Sequence, residues 1–317
     1  MMASNDRAPM ATRLAFGEAL LELGSRDPNV VVLDADLSVS TQSHFFAKAH
    51  PERFFQMGIA ECNMIGTGAG MALAGKKTFI CTFACFLSNR FEQVRMSIAF
   101  TGAPVTMVGT HAGVAIGEDG YSQMGQEDMA HVRSLPNVAV VQPVDDVETR
   151  GAVFFAAEHD GPLYLRLTRQ KVEPLNPDDY TFSFGKGVVL REGGDVTFMA
   201  SGGVVANTIR AAEQMEADGV ASARVVNIHT IKPLDEELVM TCAAETGRIV
   251  TVEDHSLTGG LGSAVCEALS ETPGVVVHRI GLEDYGQSGG GEELYTAYGL
   301  SAEAIASRTQ AFLERSS

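Results

Sequence analysis

The chain has 317 residues, 45% hydrophobic and 20% charged, with 23 Lys and Arg against 40 Asp and Glu and a formal net charge of −17. That composition fits a soluble globular protein long enough for two compact domains, and its acidity excludes nucleic acid and anionic membranes as natural partners. No apolar run reaches the ~20 residues that span a bilayer, and the opening MMASNDRAPMATR has no apolar core of the secretory kind, so the expected location is the cytoplasm.

In chain order, 9–25 reads as a helix, followed by the β-branched run VVVLDA (30–35) as a buried strand. The pattern then alternates. Helices are expected at 61–74, 88–101, 123–133 and 145–159, the last capped by Asp145, with strands at 77–83, 104–109, 138–143 and 163–168. Such alternation predicts a mostly parallel sheet covered on both faces. The stretch 172–187, with two prolines and no periodicity, reads as a linker. A second α/β pattern follows, with strands in ARVVNIHT, GRIVTVED and VVVHRIGL and a helix after GGLGSA (259–264). The expected fold class is therefore α/β with two three-layer domains, at 1–180 and 188–317.

Five cysteines, Cys62, Cys81, Cys85, Cys242 and Cys266, form no CxxC pair and have no zinc spacing, so they read as reduced thiols. Three segments carry chemistry. Glu61 opens an apolar, Gly-rich helix, where free amides and the helix dipole favour a carboxylate. Phe83 and Phe86 share one face of the following segment. The Gly-rich stretch 109–128 holds His111, Glu118, Asp119, Ser122 and Gln123, and is too polar for a core; loops of this kind at strand ends usually carry function. His255 reads as a solvent-facing or interface residue.

These segments, in this order, resemble the pyrimidine-binding domain of transketolase. The likeness extends through MATRLAFGEALLEL, VVLDADLSVST and LYLRLTRQ to NIHTIKPLDEE and GRIVTVEDHSLTGGLGSAV, which resemble the transketolase C-terminal domain. The resemblance implies thiamine diphosphate as cofactor. It implies that Glu61 hydrogen-bonds the aminopyrimidine N1′ and sets its tautomer, and that this carboxylate is dry. Phe83 and Phe86 would pack on the pyrimidine ring, with Asn89 and Cys62 standing where relatives carry tyrosine and glutamine. Arg13, Ser40, His111 and Arg169 fall where the family holds a sugar phosphate, and Asp119 where it contacts the substrate hydroxyl beside the reacting carbonyl. Gln123 replaces a histidine found in many members; an amide positions a substrate oxygen but moves no proton at neutral pH. Proton transfer is then left to the cofactor and to His111.

A complete transketolase is about twice this long, and its N-terminal half binds the diphosphate and a divalent metal, Mg2+ or Ca2+, through a GDG motif. No GDG occurs here; the nearest strings are EDG at 118–120 and GGD at 193–195. The expectation is a split enzyme: this chain is the C-terminal subunit, a GDG-bearing N-terminal subunit is the partner, and two copies of each form a heterotetramer. The alternatives are the beta subunit of a 2-oxo-acid dehydrogenase, which needs no phosphate clamp, a split 1-deoxyxylulose-5-phosphate synthase, and a non-catalytic regulatory subunit.

Overall fold

The computed structural model describes residues 7–315. The apolar runs of the first half become a seven-stranded sheet in the order Thr230–Lys232, Ala139–Val141, Leu163–Arg166, Val105–Thr110, Lys77–Phe83, Val30–Asp34 and Phe54–Gln56. All neighbouring pairs are parallel except Thr230–Lys232, which runs antiparallel to its neighbour. Strands buried on both faces need no polar alternation, which is why Val30–Asp34 reads as one continuous buried run. Side chains such as Phe16, Phe46 and Phe79 on one face, and Met64, Ile65 and Ile80 on the other, are fully removed from water. Each contributes about 1.5–3 kcal/mol of transfer free energy.

The second sheet has five strands in the order Val276–Leu282, Arg248–Ser256, Val196–Ala200, Ala223–Asn227 and Val188–Arg191, the last antiparallel to its neighbour. Helices cover both faces of both sheets, so the α/β class expected from the sequence is the class observed. The helix Asp146–Glu158 is capped by Asp145, whose side chain accepts the Glu148 amide.

Other elements depart from the sequence reading. The first helix spans Thr12–Arg26, because Met10–Ala11 pairs antiparallel with Lys171–Val172. The helix expected at 88–101 is broken into Ala84–Ser88, Phe91–Gln93 and a π-turn at Val94–Ala99. The helix expected at 123–133 shortens to Asp128–Arg133. The strands Phe54–Gln56 and Thr230–Lys232 were not expected, and the second lies beyond the linker yet completes the first sheet. The linker itself is pinned: Asp145 accepts the Leu175 and Asn176 amides at 3.0 and 2.7 Å, and the Tyr180 hydroxyl donates to Glu148 at 3.0 Å.

A buried polar network joins the two halves. Arg166 donates to both oxygens of Asp128 at 2.8 and 3.1 Å, to the Gly125 carbonyl at 2.9 Å and to the Asp254 carbonyl at 3.0 Å. Burial opposes charge on Asp128, yet Arg166 holds its carboxyl below the usual carboxylate range. The Tyr164 hydroxyl adds a bond to Asp128 at 2.6 Å. His255 is fully buried at this junction, accepting the Ala130 amide on Nε2 and donating from Nδ1 to the Ser256 carbonyl; the solvent-facing reading gives way to the interface one. Burial drives its pKa down to about 4, so it sits there neutral.

Replacing Asp128 by Ala leaves Arg166 buried and unpaired, and is expected to cost roughly 3–5 kcal/mol in urea unfolding. Glu267→Ala, which removes the exposed partner of Arg133, is expected to cost less than about 1 kcal/mol.

Glu148 is also buried at the junction, accepting from Val144, Asn227 and Tyr180, and burial pushes its pKa from 4.5 to about 7. A carboxyl raised in the fold favours the native state below its unfolded pKa and loses that advantage as pH rises through about 7. The unfolding free energy of Glu148→Gln, relative to the parent, is therefore expected to rise between about pH 5 and about pH 8 in chemical denaturation.

Candidate active site

Four parallel strands place their carboxyl ends side by side, the usual position for ligands on an open α/β sheet. Lys77–Phe83 delivers Phe83, Val105–Thr110 delivers His111, Leu163–Arg166 leads into Thr168 and Arg169, and Val30–Asp34 leads into the loop that carries Ser40. That loop is tied down by Asp34, which accepts the Leu37 amide at 2.6 Å and the hydroxyls of Thr41 and Ser43 at 2.8 and 3.0 Å. Arg13 arrives on the first turn of the helix Thr12–Arg26. Thr12 fixes that turn by accepting the Thr168 amide at 2.8 Å, which brings the segments of Arg13 and Arg169 together.

His111 is the hub. It is buried and holds φ at +59°, a left-handed conformation that costs about 1–3 kcal/mol outside glycine and that clusters at functional sites. Its ring stacks on Phe83 at 3.8 Å between centroids, and Phe83 lies nearly parallel to Phe86 at 5.5 Å. Arg13 Nη1 donates to His111 Nε2 at 3.2 Å and to the Ser40 carbonyl at 2.6 Å. A guanidinium has no acceptor, so Nε2 is unprotonated and Nδ1 carries the hydrogen, donated to Thr110 Oγ1 at 2.9 Å. Burial, then the charges of Arg13 and Arg169, lower the His111 pKa to about 3.

The same surroundings act on the arginines. Burial and the nearby Arg169 lower the Arg13 pKa, and among the described residues no carboxylate lies within 4.0 Å of Arg13. Arg169 donates to the Ile116 carbonyl and lies 3.7 Å from the half-exposed Asp119 carboxylate. Two guanidiniums beside a neutral imidazole form a site that favours an anion.

Glu61 is the first residue of the helix Glu61–Leu73 and is only 5% exposed. Its ion-pair partner is Arg90, at 3.6 Å. Gln123 sits in a single 3₁₀ turn, Tyr121–Gln123, and its side chain donates only to Ser122 Oγ at 3.4 Å among the described residues. The structure thus brings Arg13, Ser40, His111, Phe83 and Phe86 into one contact chain, with the Arg169–Asp119 pair held near it through the Thr12–Thr168 clasp. Glu61 and Gln123 make no hydrogen bond or ion pair with that chain. Sequence reasoning missed Thr12, Asp34, Thr110 and Arg90, whose roles depend on contacts between distant segments.

The second half braces the active-site loop. Asp254 accepts the Val114 amide at 2.8 Å and the Tyr295 hydroxyl at 3.1 Å. Gly113, at φ +78°, leaves the room: a Cβ there would lie 2.1 Å from the Asp254 carboxylate. The Gly286 amide donates to Gln126, and Tyr121 packs against Tyr285.

An α/β protein with its ligand-binding groups at strand carboxyl ends, and a second α/β unit bracing the loop over them, is the class this fold and site define. Residues 8–174 match the family model of the transketolase pyrimidine binding domain, and residues 185–305 that of the transketolase C-terminal domain. The chain belongs to the transketolase family. It is 44% identical over 301 residues to a transketolase C-terminal section of Methanocaldococcus jannaschii, covering 93% of this chain and 94% of that one. It is 39% identical to the 6-deoxy-6-sulfo-D-fructose transketolase subunit SqwH of a Clostridium species, covering 96% and 94%. A split-gene transketolase, solved as an inactive beta4 tetramer, superposes with a TM-score of 0.89 at 45% identity, over 96% of this chain and 99% of that one. Against transketolase-like protein 2 of Mus musculus, 41% identical, the chain spans 48% of the relative's length.

The low His111 pKa predicts that its imidazole stays neutral from about pH 8 to about pH 5 in the free chain. A side-chain NMR titration is expected to show no inflection for His111 in that range, and Arg13→Ala to move its midpoint only part of the way toward the ordinary histidine value, because burial and Arg169 remain.

Proposed function

We propose that this chain is the C-terminal subunit of a split, thiamine-diphosphate-dependent transketolase, moving a two-carbon ketol unit from a ketose phosphate to an aldose or aldose phosphate. The observation that carries the reading is neutral His111 bonded to Arg13 and stacked on Phe83, within the field of Arg169. A 2-oxo-acid substrate has no need of two guanidiniums set away from the reacting carbon, whereas a sugar phosphate does. A sulfonated ketose, the substrate class named for the Clostridium relative, offers three similar oxygens with one charge fewer.

The residues fit the aminopyrimidine part of the cofactor. Glu61 is a nearly dry carboxylate whose acceptor capacity is met within the described residues only by Arg90 at 3.6 Å, and it opens a helix beside the strand that ends in Phe83. When bound, thiamine diphosphate supplies the carbon nucleophile. Glu61 would accept a hydrogen bond from the protonated N1′ and hold the ring in place, in a site where burial strengthens the bond. Phe83 and Phe86 give the ring flat apolar contact. Arg13 and Arg169 clamp the phosphate, with Ser40 at its rim. His111 donates or accepts as a neutral imidazole, Asp119 takes the substrate hydroxyl beside the carbonyl, and Gln123 positions a substrate oxygen.

Among the described residues, no group of three or more His, Cys, Asp or Glu side chains is placed to hold a metal ion. Mg2+ or Ca2+ and the diphosphate are assigned to an N-terminal partner subunit with the GDG motif, two copies of each chain forming a heterotetramer in the cytoplasm. No described helix is long and apolar enough to cross a membrane.

The test is reconstitution. The chain alone is expected to show no ketol transfer, and the chain with its N-terminal partner to show transfer that depends on thiamine diphosphate. Glu61→Gln is expected to lower kcat at least about a hundredfold. Arg13→Ala is expected to raise the KM for a ketose phosphate by roughly ten- to a hundredfold, the worth of a charged hydrogen bond. Turnover by the isolated chain overturns the split-site reading, and preference for a sulfonated ketose redirects the substrate assignment.

A further inference from the structure

We propose that Arg90 is the resident counter-ion of Glu61 in the cofactor-free chain, and that the incoming aminopyrimidine has to displace it. This rests on the reading of Glu61 as the cofactor's partner.

Glu61 is an acid taken almost entirely out of water at the start of a helix. A carboxylate in that position needs hydrogen-bond donors or a cation, since desolvation without compensation is costly. Among the described residues no side chain donates a hydrogen bond to it, and Arg90 Nη2, at 3.6 Å, is the one cationic group within 4.0 Å. At that distance the contact is an ion pair rather than a hydrogen bond. The helix N-terminus and Arg90 are therefore what this buried acid faces before a ligand arrives.

Arg90 is built to let go. It lies in the turn between Ala84–Ser88 and Phe91–Gln93, and its side chain is 39% exposed against 6% for that of Glu61. Its other polar contact is with the carbonyl of its own neighbour Asn89, at 3.5 Å. A guanidinium left beside Glu61 would also oppose function. The carboxylate must face a ring nitrogen, and a guanidinium 3.6 Å away competes with that nitrogen for the same oxygens. The arginine that partners the buried acid in the empty site must swing toward solvent for the site to work. The energy involved is small, because half-exposed pairs of this kind are worth up to about fivefold in an equilibrium constant.

Two measurements test this. In the free chain, side-chain NMR reads the Arg90 Nε–H signal in the parent and in Glu61→Gln. The neutral amide is expected to shift that signal and speed its exchange with water severalfold; an unchanged signal overturns the pairing. In the enzyme reconstituted with its N-terminal partner, Arg90→Gln is expected to lower the KM for thiamine diphosphate about two- to fivefold, with Arg90→Lys returning it toward the parent value. A KM that is unchanged or raised overturns the displacement. If Glu61→Gln keeps full turnover, the cofactor reading of Glu61 fails, while the NMR result on the pair stands by itself.

Discussion

A guanidinium held out of water by one carboxylate underlies the architecture. Arg166 and Asp128 have both surrendered their hydration, and the pair survives because the remaining donors of Arg166 reach the carbonyls of Gly125 and Asp254. Those three partners come from the start of the helix Asp128–Arg133, from the loop before it and from the second half of the chain, and all meet Arg166 at the end of a sheet strand. One side chain thereby fixes where the loop begins its return and where the second sheet stands. Three residues further along the same strand exit comes Arg169, which meets the solvent-facing cleft. The structural cation and the cation proposed to bind the ligand hang from one strand end, so the rigidity of the first is passed to the second.

The cleft is tuned by repulsion as much as by attraction. Burial first, and then the charges of Arg13 and Arg169, keep the proton off His111, and burial and the nearby Arg169 lower the Arg13 pKa. In a chain with a net charge of −17, such a local surplus of positive charge is conspicuous and is relieved only in part, by Asp119 at 3.7 Å from Arg169. An anion that settles there offsets the repulsion between the two guanidiniums. The strained backbone of His111 holds the imidazole flat on Phe83, where a relaxed rotation would carry it away.

Much of this was legible in the sequence, for physical reasons. The strand Lys77–Phe83 and the helix from Glu61 have patterns dictated by their own burial, and Asp145 caps its helix through a contact three residues away. Glu61, Phe83, Arg13, His111 and Arg169 stood out through resemblance, and the structure places most of them in one cluster. What stayed hidden depends on distant partners. Phe54–Gln56 is a strand only because Val30–Asp34 lies beside it, and residues 88–101 carry helical periodicity but break at Asn89 and Arg90. The clasp between Thr12 and Thr168, 156 residues apart, leaves no local trace.

The strand Thr230–Lys232 ties the order of synthesis to the integrity of the first sheet. It covers the edge strand Ala139–Val141 with residues made almost ninety positions later. On the ribosome, the earlier strands emerge with that edge open, its amides and carbonyls available to any neighbouring chain. The first half cannot seal itself until the opening third of the second has been translated. Cutting the gene at the linker, which looks like a natural boundary, would leave a fragment prone to self-association rather than an autonomous module.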